Sequence, residues 1–187
     1  MNQDIARSEW HDQFPFRRAQ LSRREASGFN GNYNGAMPEK TQFTVRRADW
    51  STDAATLCAI RLKVFVDEQN VPLELEWDGM DERCEHALAY TPDDTPIGTG
   101  RLLPDGRIGR LAVFKEWRGQ GAGSALLGYF LELAREKGFT TVTLHAQTRA
   151  TAFYARHGFE AHGDEFMDAG IPHVEMSRSL GTAACGE

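Results

Sequence analysis

Residues 107–137, RIGRLAVFKEWRGQGAGSALLGYFLELAREK, constrain the fold more than any other stretch of the chain. Ile108–Val113 is apolar and β-branched enough for a buried strand, interrupted by Gly109 and Arg110. Residues 114–117 make a connection, and Arg118-Gly119-Gln120-Gly121-Ala122-Gly123 follows it. Leu126, Leu127, Phe130, Leu131 and Ala134 then fall on one helical stripe, with Gly138 as a left-handed C-cap. The first turn of a helix leaves amide N–H groups without partners, and the macrodipole adds a partial positive charge there. Glycine removes the Cβ that would hold an anion away from those groups, and Arg118 adds a positive charge. Glycines at this spacing also serve a plain tight turn. The strand–loop–helix context and the arginine favour an anion such as phosphate or pyrophosphate.

The loop is neither a dinucleotide fingerprint, for it contains no GxGxxG, nor a Walker loop, for no Gly-Lys-Ser/Thr follows. At 187 residues the chain holds one domain, or one domain with an extension. Acidic residues outnumber basic ones, 27 against 21, for a formal charge of -6. That balance argues against a general nucleic-acid binder, which needs a basic surface, and is compatible with a cationic or amine substrate. Cys58, Cys84 and Cys185 are odd in number and lack metal-ligand spacing, so free thiols in a reducing cytoplasm and no bound metal are expected. No apolar run approaches the roughly 20 residues that span a bilayer, and no signal peptide is recognisable.

Taken in order, residues 1–40 read as a flexible extension, with Trp10, Phe14 and Phe16 among charges and a turn-rich GFNGNYNG. The folded domain is expected over 41–181, with a short tail at 182–187. Residues 42–47 alternate as a first strand. Ser51, Thr52 and Asp53 offer N-caps for a helix over 54–66. The acidic run at 74–82 contains Leu75, Trp77 and Met80, and it is either solvated or folded over a site that it lines with carboxylates. Strands over 86–90 and 97–103 form a meander with the strand at 108. Beyond the long helix come a strand over 140–145, a short helix over 150–156, a region opening at 159–163 and a last strand over 173–177. This order predicts an α/β or α+β fold with a mixed sheet flanked by helices.

Arg-x-x-Gly-x-Gly after a strand ending in Leu-Ala-Val resembles the acyl-CoA-binding motif of the GNAT acetyltransferase superfamily. FYARHGF at 153–159 resembles that family's segment after the fifth strand. VFVDEQNVP at 64–72, FMDAGIPHVEM at 166–176 and His145-Ala146-Gln147 resemble its ElaA/YjcF-like branch. The resemblance covers about 42–180 and implies the GNAT N-acyltransferase fold, with acetyl-CoA as co-substrate, a small-molecule amine as acceptor, and a homodimer as one option for assembly. Leu111, Ala112 and Val113 would then pair with the pantetheine amides. The N–H groups of Arg118, Gly119, Gln120, Gly121, Ala122 and Gly123 would hold the pyrophosphate, with Ser124 at the helix start. Gln147 falls where the family often has an asparagine that contacts the cofactor, and Tyr154 where many members have the general acid for the leaving thiolate.

A phenol with a pKa of about 10 can donate that proton at neutral pH, though the ring could equally pack beside Phe153. Histone-type members have a glutamate base where Arg107 stands here, and an arginine cannot accept a proton. Candidates for the base are His173, held in GIPH, then Glu68, with His86 and His145 behind them; water, or an amine that arrives neutral, would also serve. Nothing around Cys84 marks it as an acyl carrier. Direct transfer through a tetrahedral intermediate is therefore implied. The alternatives are a non-catalytic acetyl-CoA-binding or interaction module and an enzyme like the acyl-homoserine-lactone synthases. The second rests on a loose similarity at Arg61, Phe65, 76–81 and 101–104.

Overall fold

The computed structural model describes residues 43–181; the expected extension over 1–40 and the tail over 182–187 lie outside them. Strand β1 (Thr44–Ala48) leads into helix α1 (Trp50–Arg61), whose last turns continue as a π-helix over Leu62–Glu68. A short helix α2 (Leu73–Glu76) precedes β2 (Glu85–Tyr90), β3 (Pro96–Leu102) and β4 (Ile108–Val113). Helix α3 (Ala122–Glu136), β5 (Thr141–Gln147), α4 (Thr151–Ala155), β6 (Glu160–Asp168) and β7 (Ile171–Ser179) complete the domain.

Three local expectations are corrected. Helix α1 starts at Trp50, not 54, and its cap is Asp49 rather than Ser51, Thr52 or Asp53. The Asp49 carboxylate accepts the Ser51 N–H at 2.8 Å, and the Asp53 carboxylate accepts the Asp49 N–H at 2.9 Å, a reciprocal cap that satisfies two amides. The end of that helix is π-helical, a geometry that apolar periodicity does not signal. The region opening at 159–163 is a full strand, β6, which forms the edge of its sheet and is exposed at nearly every residue. With neither face buried, it carries no apolar alternation to read.

The strands form two sheets rather than one continuous ladder. One is antiparallel in the order β1-β2-β3-β4, the other antiparallel in the order β5-β7-β6. They meet at a single parallel bridge, Arg107 with Thr143, just ahead of β4 and within β5. Past that bridge β4 presents a free edge.

Alternation along β2 shows how both faces of the first sheet are covered. Ala87 and Ala89 join the core made with Leu126, Leu127, Phe130 and Leu131 of α3, together with Val142 and Leu144 of β5. Leu88 between them points the other way, into a cluster with Leu57 and Ile60 of α1. Helix α3 lies close to β3 because that strand has glycines beneath it. A Cβ at Gly100 would stand 2.7 Å from the Phe130 ring and 3.0 Å from the Leu111 side chain. Gly100 also faces a bulge in β4. Thr99 pairs with Ala112 and Arg101 with Gly109, so Arg110 and Leu111 share one partner, and Arg110 takes φ 51°. The bulge swings the Arg110 side chain onto the acidic loop.

These contacts set opposite expectations for two glycines. Gly100→Ala overpacks the Phe130 contact and lowers stability by about 1–3 kcal/mol. Gly128 lies inside α3, where an added Cβ would meet nothing within 4 Å, and it gains about 0.4–1 kcal/mol as alanine. Urea unfolding midpoints at unchanged m-value measure both.

Candidate active site

Helix α3 begins without a side-chain cap. Gly121 occupies the N-cap at φ 97°, in the left-handed region, and Gly119 two residues earlier is at φ 75°. The first bond of the helix runs from the Ala125 N–H to the Gly121 carbonyl at 2.9 Å, which leaves the N–H groups ahead of it without an intrahelical acceptor. An acyl-CoA pyrophosphate suits such an end, and side chains at 119 and 121 would strain the turn that forms it. Gly123 is under no such constraint: a Cβ there would meet the Phe153 ring at 3.6 Å, an ordinary van der Waals contact. Gln120 donates back to the Glu116 carbonyl at 2.8 Å, and the Ser124 hydroxyl lies 3.0 Å from His157 Nε2.

The Arg118 guanidinium is not a free charge beside this turn. Its Nε donates to the Val113 carbonyl at 2.9 Å, and its Nη2 donates to Glu68 Oε2 at 2.7 Å as half of a bidentate pair. That hydrogen bond holds the Glu68 carboxyl below its usual range and makes it a weak proton acceptor. Glu68 therefore acts here as the partner of the glycine loop. The next residue, Gln69, accepts a hydrogen bond from Gln147 Nε2 at 2.8 Å through its Oε1, while Gln147 Oε1 accepts from Arg149 Nε at 2.9 Å.

A cleft of about 560 Å³ opens between the two sheets beyond the Arg107–Thr143 bridge. It brings together Leu111, Gln147, Tyr154, His145 and His173, with Phe65 and Gln69 from the π-helix and its end. Ala112 faces the core on the far side of β4, and the 118–124 loop continues from the strand end to which Arg118 is bonded. Tyr154 is half-buried, edge-on to Phe153 and Phe159, and burial pushes its phenol up to about 12. His173 Nδ1 lies 2.8 Å from the Ile171 carbonyl oxygen, so in the neutral ring Nδ1 carries the proton and Nε2 the lone pair. Its ring stacks on Phe166. His145 also lines the cleft; burial first and then Arg107 keep its pKa below the usual histidine range. His86 is elsewhere, buried against the Asp81 carbonyl at 2.8 Å and stacked on Trp50. Burial raises the Cys84 thiol pKa, the wrong direction for an acyl carrier.

The acidic run at 74–82 does not present open carboxylates to the cleft. Arg61, 1% exposed, donates to Glu76 Oε1 at 2.5 Å and to Asp81 Oδ1 at 2.7 Å, and its guanidinium lies 4.7 Å over the Trp77 ring. Arg101, 2% exposed, bonds Asp78 and reaches Asp81 Oδ1 at 2.7 Å. Arg110, aimed by the bulge, approaches Glu76 Oε2 at 3.2 Å. Three carboxylates and three guanidinium groups thus close on one another. Burial raises Asp78, but the hydrogen bond and charge of Arg101 outweigh it and hold the group at about 2. Sequence reading missed this network, although Arg101 and Arg110 in otherwise buried strands signalled a need for anionic partners.

A model of the acetyltransferase (GNAT) domain matches residues 51–180. The chain belongs to the GNAT acetyltransferase family. YjcF of Bacillus subtilis, described as an uncharacterised N-acetyltransferase, is 38% identical over 123 residues, 64% of this chain and 87% of the relative. An acyl-CoA N-acyltransferase from Pseudomonas aeruginosa is 31% identical, with a TM-score of 0.65, over 73% of this chain and 99% of that one. Escherichia coli ElaA is 28% identical with a TM-score of 0.64 over the same shares. Membership makes the chain a GNAT-type N-acetyltransferase, an enzyme rather than a binding module alone. Arg61 and Arg101, which suggested a lactone synthase, are accounted for by the ion network.

Removing one guanidinium from that network strands its carboxylates. Arg101→Gln should destabilise the fold by about 3 kcal/mol. Asp78 has its pKa depressed in the fold, so its contribution is present above the ordinary carboxylate value and is lost as pH falls through about 2. In the variant that contribution disappears, and the acid-unfolding midpoint followed by circular dichroism moves to higher pH.

Proposed function

We propose that the chain transfers an acetyl group from acetyl-CoA directly to the primary amine of a small molecule or an amino acid, without an acyl-enzyme. The observation that carries this reading is the uncapped start of α3, tied through Arg118 to the end of the strand whose Leu111 lines the cleft beside Tyr154. In this reading the N–H groups of residues 118–123 hold the pyrophosphate, and the β4 edge at Leu111, Ala112 and Val113 pairs with the pantetheine amides. Ser124, bonded to His157, steadies the helix start, and Gln147 orients the arm from the opposite sheet. Acetyl-CoA supplies an acyl group activated as a thioester.

The amine nitrogen would add to the thioester carbonyl, forming the new C–N bond, and collapse of the tetrahedral intermediate would break the C–S bond, the sulfur leaving with the electron pair. Tyr154 delivers its hydroxyl proton to that sulfur. Its pKa, pushed up to about 12, keeps the phenol protonated at neutral pH and makes it a weaker acid than a free tyrosine, so the proton moves only as negative charge develops on the sulfur. His173 Nε2 takes the proton that the amine nitrogen gives up. Glu68, held by Arg118, positions the loop instead of serving as the base.

Calorimetric titration with acetyl-CoA should give micromolar binding, about -8 kcal/mol, with ATP silent. Gly121→Val should abolish that heat, because the N-cap turn needs φ 97°. Tyr154→Phe should bind acetyl-CoA as before and lose about 100-fold in kcat on an amine panel scored by CoA release. Retention of full kcat in Tyr154→Phe would remove that residue from the chemistry.

A further inference from the structure

Leu75 and Met167 are the large apolar side chains that stand exposed among the described residues, at 52% and 66%, and both belong to the cleft. Leu75 comes from α2 and Met167 from the β6–β7 hairpin. Single exposed apolar residues are ordinary, but these two border one cavity and continue an apolar wall made by Phe65, Val71 and Phe166. Burying such a side chain is favourable, so the wall selects a ligand with an apolar portion.

The charge available to that ligand follows by elimination. Arg101 and Arg110 line the cleft, but their charge is met by Glu76, Asp78 and Asp81. Arg107, half-buried at the bridge between the sheets, approaches Asp105 at 3.9 Å, beyond hydrogen-bond distance. Its other charged neighbours in the cleft do little to cancel it. Asp168 is exposed at the end of β6, and His145 is disposed to be neutral. A guanidinium with unmatched donors beside an apolar wall suits a carboxylate, which it can grip with two parallel N–H groups.

We infer that the acceptor is an amino acid with an apolar side chain, its carboxylate on Arg107 and its side chain against Leu75 and Met167. This rests on the acetyltransferase reading and narrows it. The products are the N-acetyl amino acid and CoA thiol, the amine having exchanged one proton for the acyl group. A polycation gains little from this cleft, since the two loop carboxylates that line it, Glu76 and Asp78, are already paired with arginines.

The test compares kcat/KM for L-phenylalanine, L-phenylalaninamide and spermidine, alongside acetyl-CoA calorimetry. Phenylalanine should exceed its amide by about 10-fold or more, the scale of one charge-assisted contact, and exceed spermidine by a wider margin. In Arg107→Gln the preference for phenylalanine over the amide should collapse through KM, and Arg107→Lys should restore part of it. The double variant Leu75→Ser with Met167→Ser should lower the preference for phenylalanine over alanine by about 10-fold, the scale of one lost apolar contact. Melting temperatures verify that each variant folds. Equal turnover of acid and amide, a preference for spermidine, or an Arg107→Gln enzyme that keeps the preference would overturn the inference. If acetyl-CoA binds with heat while no carboxylate preference exists, this inference alone falls; if acetyl-CoA gives no heat, the acetyltransferase reading falls with it.

Discussion

Three guanidinium groups in a largely apolar wall hold the 69–84 segment against the sheet. Arg61 reaches from the end of α1, Arg101 from β3 and Arg110 from the bulge in β4, and their targets are Glu76, Asp78 and Asp81 on one short stretch of chain. Taking such charges out of water is costly unless each finds a partner, so the segment has one arrangement in which all six are matched. That arrangement sets one side of the cleft and puts Leu75 on its rim. It also bears on the charge of the cavity, because the two carboxylates by which this loop lines it, Glu76 and Asp78, are matched by arginines.

The backbone repeats this logic at smaller scale. The β4 bulge costs a non-glycine residue at positive φ, and it is the bulge that turns Arg110 toward Glu76. Gly100 opposite provides room for the displaced Leu111 and for Phe130 of α3. The course of β4 along the cleft and the ion network beside it are therefore produced by the same irregularity.

The loop at 118–123, the strand before it and the helix after it are legible in the sequence because glycine positions and apolar periodicity are local signals. Tyr154 is legible as a candidate through family resemblance and His173 through histidine chemistry in a rigid GIPH segment, and the fold brings both to one cleft with Gln147. The ionic network is not legible, since its paired members lie up to 34 residues apart and pair across elements whose contact no periodicity encodes. Strand β6 escapes notice because an exposed edge strand has no buried face to mark it. Glu68 reads as a base for a similar reason: the partner that makes it a poor one, Arg118, is 50 residues away.

Glu68 and Gln69 are consecutive, yet they hold opposite sides of the gap between the sheets. Glu68 grips the loop that follows β4 through Arg118, while Gln69 grips the end of β5 through Gln147. Two adjacent residues at the end of a π-helix thus act as a clasp across a seam whose strands are otherwise joined at one bridge. Any ligand thick enough to spread the seam loads both halves of the clasp at once, because the peptide bond between them cannot stretch. The loop side and the β5 side of the cleft are thus mechanically in series, and slack on one side is taken up on the other.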